Sequence, residues 1–234
     1  MNNAALIVAA GRGSRMMQDL PKQYTKIRDH CILWYTIQAF LSSHVIQSIC
    51  VVIHPDDQNL YDTVAAQIND KRLSAPVQGG LSRSESVNLG LQALNSCAPN
   101  YVLIHDAARP FCSPKLIKAV IDALEEVDGA FAALPVVDAL WRVDGAKAID
   151  AVSREGLWRA QTPQAFRYQA ILAAYMEDGI NAADDVEVAR AAGLNVCVVE
   201  GEETNFKITL PADLTRAERF LASSVSRARS GCNC

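Results

Sequence analysis

Arg12, Arg15 and Lys22 surround a loop that carries Gly11 and Gly13, directly after an apolar run at 5–10. Glycines let backbone N–H groups approach phosphate oxygens, and fixed cations beside them suit a polyanion. The first 28 positions hold five basic residues (Arg12, Arg15, Lys22, Lys26, Arg28) and one acid (Asp19), in a chain whose net charge is −4. Such a local inversion of charge beside a strand end fits a nucleoside triphosphate. On its glycines alone the loop reads equally well as a structural turn. The two cations, Arg15 and Lys22, favour the triphosphate.

Four further groups of residues could do chemistry. His105-Asp106-Ala107-Ala108-Arg109-Pro110 follows an apolar stretch. An acid at the carboxyl end of a parallel strand lies where α/β sheets bind ligands. Asp106 could hold Mg²⁺ directly or through water, or form a turn pair with Arg109. His105 reads as a packed strand-end histidine. Gly79-Gly80 precedes a helix start that includes Ser86, and could present backbone groups to a base or ribose. Lys207, in the strand-like stretch 205–209, is expected to point its ammonium into a cleft. Asp184-Asp185 reads as a helix N-terminus rather than a metal pair.

The rest of the chain must position these groups. Strand-like runs at 4–9, 48–54, 101–105, 130–137 and 195–199 alternate with helix-like stretches at 33–42, 84–95 and 114–127, and Pro55-Asp56-Asp57 opens another. Ser113 and Pro114 suit the start of the 114–127 helix. The alternation predicts an α/β fold, with a mostly parallel sheet covered on both faces. Residues 138–160 break the rhythm. They predict a surface hairpin, with apolar Leu140, Trp141, Val143, Ile149 and Val152 in excess of what a solvated arm carries, so the arm is expected to pack on a partner chain.

Composition narrows the class. The chain has 234 residues, half of them hydrophobic, which suits one α/β domain over 1–222 followed by a disordered tail or linker at 223–234. No apolar run reaches the roughly 18–20 residues of a membrane span, and no signal pattern opens the chain, so a cytoplasmic enzyme without a membrane partner is expected. The acidic balance, without a basic stripe, speaks against nucleic acid. The seven cysteines form no C-x-x-C and read as reduced, mostly buried thiols. The loop is neither a dinucleotide fingerprint, since position 16 is Met, nor a Walker loop, since Gly-Lys-Ser/Thr is missing.

Taken together, Ala9-Ala10-Gly11-x-Gly13-x-Arg15-Met16, Pro21-Lys22-Gln23-Tyr24, His105 through Pro110, Gly156-Leu157-Trp158, Thr162-Pro163-Gln164 and Asn205-x-Lys207-x-Thr209 resemble the 2-C-methyl-D-erythritol 4-phosphate cytidylyltransferase family, from about residue 4 to about residue 221. The resemblance implies a Rossmann-like nucleotidyltransferase fold, dependence on Mg²⁺ or another divalent cation, and a homodimer built through the β-arm at 138–160. It implies that Arg15, Lys22 and Lys207 are catalytic, and that Ala9, Ala10, Gly11, Gly13, Gly80 and Ser86 bind CTP. Asp106, Arg109 and Arg154 would bind the polyol phosphate, Arg154 from the neighbouring subunit. Two positions depart from the family pattern: Leu81 stands where an Asp is frequent, and Ala139 where a Thr is. The implied reaction is attack by an already ionised phosphate on the α-phosphorus of CTP, which needs no general base. Its closest rival is the same chemistry on another polyol phosphate such as ribitol 5-phosphate. A nicotinamide-dependent reductase and a non-catalytic dimeric scaffold are the alternatives from other classes.

Overall fold

The computed structural model describes residues 2–12, 20–177, 182 and 184–230, with side chains to residue 223. The strands are β1 (Asn3–Ala9), β2 (Lys26–Ile27), β3 (His30–Cys31), β4 (Ser48–Ile53), β5 (Val77–Gln78), β6 (Tyr101–Asp106), β7 (Gly129–Pro135), β8 (Leu140–Asp144), β9 (Lys147–Val152), β10 (Trp158–Arg167) and β11 (Val196–Glu200). The helices are α1 (Ile32–Leu41), α2 (Gln58–Ala65), α3 (Arg83–Ala93), α4 (Pro114–Asp122), α5 (Tyr168–Glu177), α6 (Asp185–Ala191) and α7 (Pro211–Ser230).

Seven strands form one sheet in the order β11-β7-β10-β6-β1-β4-β5. All neighbours are parallel except β10, which runs antiparallel to both β6 and β7. The fold is thus α/β with a mostly parallel sheet. The alternation of β1 shows why helices cover both faces. Ala5, Ile7 and Ala9 pack with α1, α2 and α4, whereas Ala4 and Leu6 pack with α3, α5 and α6. Strands buried on two sides read as unbroken apolar runs, which is what made β1, β4 and β6 visible in the sequence.

Three expectations need correction. The hairpin is shorter than 138–160, because Trp158, Arg159 and Ala160 belong to β10 and pair with Pro135, Leu134 and Ala133 of β7. β10 itself was hidden by Gln161-Thr162-Pro163-Gln164. Proline donates no ladder bond, and the register of β10 slips between Ala160 and Gln164. Residues 205–209 form no strand; Ile208 N–H makes a single backbone bond, to Ala108 O at 2.9 Å, in place of a ladder. Lastly, α7 carries helical backbone to Ser230, across the point where a tail was expected to begin. Residues 231–234 lie outside the described residues.

β8 and β9 pair with each other, apart from the main sheet, and turn through Gly145 at φ +56°. Trp141 is 58% exposed, and Val143 and Ile149 are also exposed.

Candidate active site

A cleft of about 510 Å³ opens at the carboxyl ends of β1, β4 and β6. This is where open parallel sheets bind ligands, and the size suits a small molecule. Ala9, Ala10, Gly11, Gly80, Ser86, Lys22, Asp106 and Lys207, all expected from the sequence, line it together. Gly13 and Arg15 lie outside the described residues. Arg109 and Arg154 are not among the lining residues.

Asp106 ends β6 and is the centre of the electrostatics. Lys207 Nζ is 2.8 Å from its Oδ2, Arg83 Nε is 3.6 Å from Oδ1, and Arg109 Nε is 3.7 Å from Oδ2. Burial alone would raise the pKa of this carboxyl. Lys207, Arg83 and Arg109 more than offset it and hold the group well below the usual carboxylate range. Lys22 Nζ donates to the carbonyl of Ile208 at 3.0 Å, which brings it next to Lys207. Among the described lining residues, Arg12, Lys22, Arg83 and Lys207 face one carboxylate, Asp106. A wall of this charge attracts phosphates.

The expected Asp106–Arg109 turn pair is present: Arg109 N–H donates to Asp106 O at 3.0 Å. The Arg109 guanidinium sits behind Asp106, donating to Asn205 O at 2.8 Å and to Ala160 O at 3.4 Å. It therefore ties Asp106 to the segment that carries Lys207. That segment is held from its other side as well, where Phe206 stacks under Arg216 of α7 at 4.0 Å.

Arg83 was missed by sequence reasoning. It is the first residue of α3, and its Nη1 and Nη2 grip Asp185 at 2.9 and 2.7 Å. Asp185 also accepts from the Tyr175 hydroxyl at 2.6 Å. Burial, followed by the Asp185 charge, pushes the Tyr175 pKa up. As expected, the Asp184-Asp185 pair is a helix start: Asp184 caps α6, accepting from Glu187 N–H at 3.0 Å. The partner of Arg83 lies 102 residues away, so nothing local announced it.

The Gly79-Gly80 side of the cleft is built by close approach. A Cβ on Gly79 would fall 2.7 Å from Ala10 Cβ and 2.8 Å from Ser86 Oγ, so only glycine lets this turn lie against β1 and α3. Ser86 Oγ accepts from Gly80 N–H at 3.1 Å and donates to Ser82 O at 2.8 Å. Leu81 points fully into solvent.

His105 is a packed histidine, as expected. It is fully buried, with Phe40 edge-on at 4.8 Å. Nε2 lies 2.9 Å from Arg109 O, which can only accept, so Nε2 carries the proton. Nδ1 then accepts from the Thr162 hydroxyl at 3.1 Å, and Thr162 Oγ1 in turn accepts from Asp106 N–H at 3.0 Å. Burial lowers the His105 pKa to about 4, so the ring stays neutral in the fold. An unfolded chain takes up a proton near pH 6.5 and the folded one does not until about pH 4. His105 thus contributes stability that is complete above pH 6.5 and lost as pH falls, by up to about 3 kcal/mol. Urea unfolding between pH 4.5 and 7.5 is expected to show a shallower pH slope for His105→Gln than for the unsubstituted protein; parallel curves would contradict the assignment.

Arg154 lies exposed near the base of the hairpin and donates to the Val137 carbonyl. The described cysteines are all free: Cys31, Cys50 and Cys112 are buried, Cys197 is partly buried and Cys97 exposed. Among the described residues, no helix is long and apolar enough to cross a membrane.

Comparison with known proteins agrees with this geometry. The family described as "IspD: 2-C-methyl-D-erythritol 4-phosphate cytidylyltransferase" matches residues 3–223. The chain is 49% identical over 222 residues to the 2-C-methyl-D-erythritol 4-phosphate cytidylyltransferase of Cereibacter sphaeroides, covering 95% of this chain and 98% of that one. It is 48% identical over 230 residues to the "Bifunctional enzyme IspD/IspF" of Rhodospirillum rubrum, covering 97% of this chain and 59% of that one. Among solved structures, the 4-diphosphocytidyl-2C-methyl-D-erythritol synthase of Anaerococcus prevotii superposes with a TM-score of 0.80 at 29% identity, over 94% of this chain and 96% of that one. The 2-C-methyl-D-erythritol 4-phosphate cytidylyltransferase of Thermus thermophilus gives 0.74 at 30% identity, over 93% and 98%. The match runs from β1 into α7 and takes in both the glycine loop and the Asp106 cluster, so the chain belongs to the 2-C-methyl-D-erythritol 4-phosphate cytidylyltransferase family.

Proposed function

We propose that this cleft transfers the CMP moiety of CTP to the phosphate of 2-C-methyl-D-erythritol 4-phosphate, giving 4-diphosphocytidyl-2-C-methyl-D-erythritol and pyrophosphate. The observation that carries the reading is the gathering of Lys22, Lys207 and Arg83 in one cleft with Asp106, which Lys207 and Arg83 hold ionised, at the carboxyl edge of a parallel sheet. A phosphate oxygen of the acceptor forms a bond to the α-phosphorus as the bond to the β-phosphate bridge breaks. The nucleophile is already an anion, so no base takes a proton. This fits a cleft whose lining histidine, His54, is engaged by Arg12 and Asp56 N–H, and beside which His105 is buried and neutral. What the chain must supply is charge: Lys22, Lys207 and Arg15 stabilise the negative charge that develops at phosphorus.

Ala9, Ala10, Gly11, Gly13, Gly80 and Ser86 hold the nucleotide. Gly80 N–H is committed to Ser86, and in this reading a backbone carbonyl around Gly80 accepts from the cytosine amino group. Uracil offers an acceptor there, and a mismatch of this sort costs about 1–3 kcal/mol, so CTP is expected to outrun UTP at least about tenfold. Asp106 serves the acceptor side, and Arg109 does so by holding Asp106 and the 205–209 segment in place. Among the described residues, no three His, Cys, Asp or Glu side chains gather to hold a metal. A single carboxylate fits Mg²⁺ in the way the ion is held with nucleotides, mostly by phosphate oxygens and water, with Asp106 contributing at most one ligand. When bound, the ion supplies neutralisation of the phosphate charge.

Residues 1–222 form the catalytic unit in this reading, and the free, mostly buried cysteines among the described residues support a reducing, cytoplasmic setting. The exposed apolar face of β8 and β9 supports a homodimer through this arm, with Arg154 reaching the partner's acceptor. Arg154→Ala is expected chiefly to raise the KM for the acceptor. Mixing it with Lys22→Ala tests the trans arrangement, assayed well below that KM. About half the dimers become hybrids with one intact site, so activity returns to roughly a quarter of the unsubstituted level. No recovery after verified subunit exchange would place Arg154 elsewhere. The reading as a whole is tested by pyrophosphate release with CTP or UTP and a panel of polyol phosphates. Release with 2-C-methyl-D-erythritol 4-phosphate is expected, and release only with ribitol 5-phosphate would overturn the acceptor.

A further inference from the structure

We infer that Gln161 is a positioning residue for the transfer: its buried amide fixes the segment that carries Lys207 relative to Asp106. The inference rests on the reading of Lys207 given above and adds a residue to it.

Gln161 is buried in β10, and its amide is spent on the segment that follows β11. Nε2 donates to Glu202 O at 2.9 Å, and Oε1 accepts from Glu202 N–H at 3.2 Å. One side chain thus takes both backbone groups of one residue, as a neighbouring strand would, where β11 has ended at Glu200. Oε1 also accepts from Asn205 Nδ2 at 3.3 Å. Asn205 is fully buried, gives a second bond to Thr162 O at 2.8 Å, and offers its own carbonyl to Arg109. Lys207 stands two residues further on. Its side chain is long and partly exposed, so where the ammonium sits depends on where this backbone is held.

The register slip in β10 aims the amide. Ala160 pairs with Ala133 and Gln164 with Phe131, so 161–163 stand opposite Ala132 alone. Irregularities of this kind redirect side chains. Thr162 reaches Asp106 N–H, and Gln161 reaches the Lys207 segment. Adjacent residues of one slip therefore hold the two partners of the 2.8 Å Lys207–Asp106 pair. Space for the amide comes from Gly201, where a Cβ would fall 2.5 Å from Gln161 Oε1 and 3.1 Å from Ala133 O.

A double-mutant cycle on kcat tests the inference, run with CTP and 2-C-methyl-D-erythritol 4-phosphate well below the Tm of every variant. Gln161→Met keeps the length of the side chain and removes its polar atoms. It is expected to lower kcat about tenfold, because small misplacements of a reacting group are costly, and to leave the KM for CTP within about twofold. In a Lys207→Ala background the same substitution is expected to change kcat less than about twofold, since the group it positions is gone. Gly201→Ala displaces the amide without removing it and is carried through the same cycle, so the test stands if Gln161→Met does not fold. Equal losses in both backgrounds, or kcat unchanged by either substitution while Lys207→Ala lowers it, would overturn the role of Gln161. A Lys207→Ala enzyme with full kcat would overturn the reading of Lys207 itself, and this inference with it.

Discussion

Lys207→Ala is expected to lower kcat by about 10²–10³-fold while changing the KM for CTP far less, by analogy with the loss of one preplaced transition-state donor. The ammonium lies 2.8 Å from Asp106, in the part of the cleft where Lys22 meets Ile208 O. In the proposed reaction it faces the charge that grows during the transfer, and interactions that strengthen in the transition state appear in kcat. A competing explanation is that removing Lys207 merely lets Asp106 take up a proton. Arg83 and Arg109 still flank that carboxylate, which keeps it ionised at neutral pH. The variant's kcat is therefore expected to stay flat between pH 6.5 and 8, parallel to the unsubstituted enzyme. Lys207→Arg keeps the charge on a bulkier head and should recover only part of the rate. Steady-state kinetics decide: a raised KM with kcat unchanged would make Lys207 a simple anchor.

The largest stability effect is expected at Asp185, which no catalytic step uses. Its carboxylate is 0% exposed and holds both Nη atoms of Arg83 and the Tyr175 hydroxyl. Asp185→Ala leaves the guanidinium with Asp106 at 3.6 Å and leaves a buried phenol without its acceptor. Breaking a buried pair by removing one partner costs about 3–5 kcal/mol. For a chain of this size that corresponds to a fall in Tm of roughly 6–20 °C. The damage reaches the cleft, because Arg83 is drawn towards Asp106 once its tether is gone. Calorimetry on the variant tests this, and a loss under 1 kcal/mol would show that the pair is dispensable.

The outcome at these residues shows what a sequence discloses. β1, β4 and β6 were legible because strands buried on both faces are continuous apolar runs, and the glycine loop was legible because its cations stand within eleven positions of Gly11. Lys207 was found through its apolar neighbours Phe206 and Ile208, although the segment proved not to be a strand. Thr162 was singled out only as part of the Thr162-Pro163-Gln164 motif, and neither its role nor that of Arg83 was read, since each acts through a partner far away in the chain: Asp185 for Arg83, His105 and Asp106 N–H for Thr162. β10 was obscured by the same Thr162-Pro163 pair that lets its register slip beside the cleft. Arg12 was counted with the basic residues of the loop, but its anchor on Asp57 became visible only once α2 was seen to start beside it.

The central claim is the chemistry at the α-phosphorus, and ³¹P nuclear magnetic resonance of the reaction mixture tests it most directly. With CTP, Mg²⁺ and 2-C-methyl-D-erythritol 4-phosphate, two mutually coupled resonances of a new diphosphate diester are expected, growing in equal amount with pyrophosphate and absent in Lys207→Ala on the same timescale. Formation of free CMP without the coupled pair, or nucleotide left unconsumed beside that acceptor, would contradict the account.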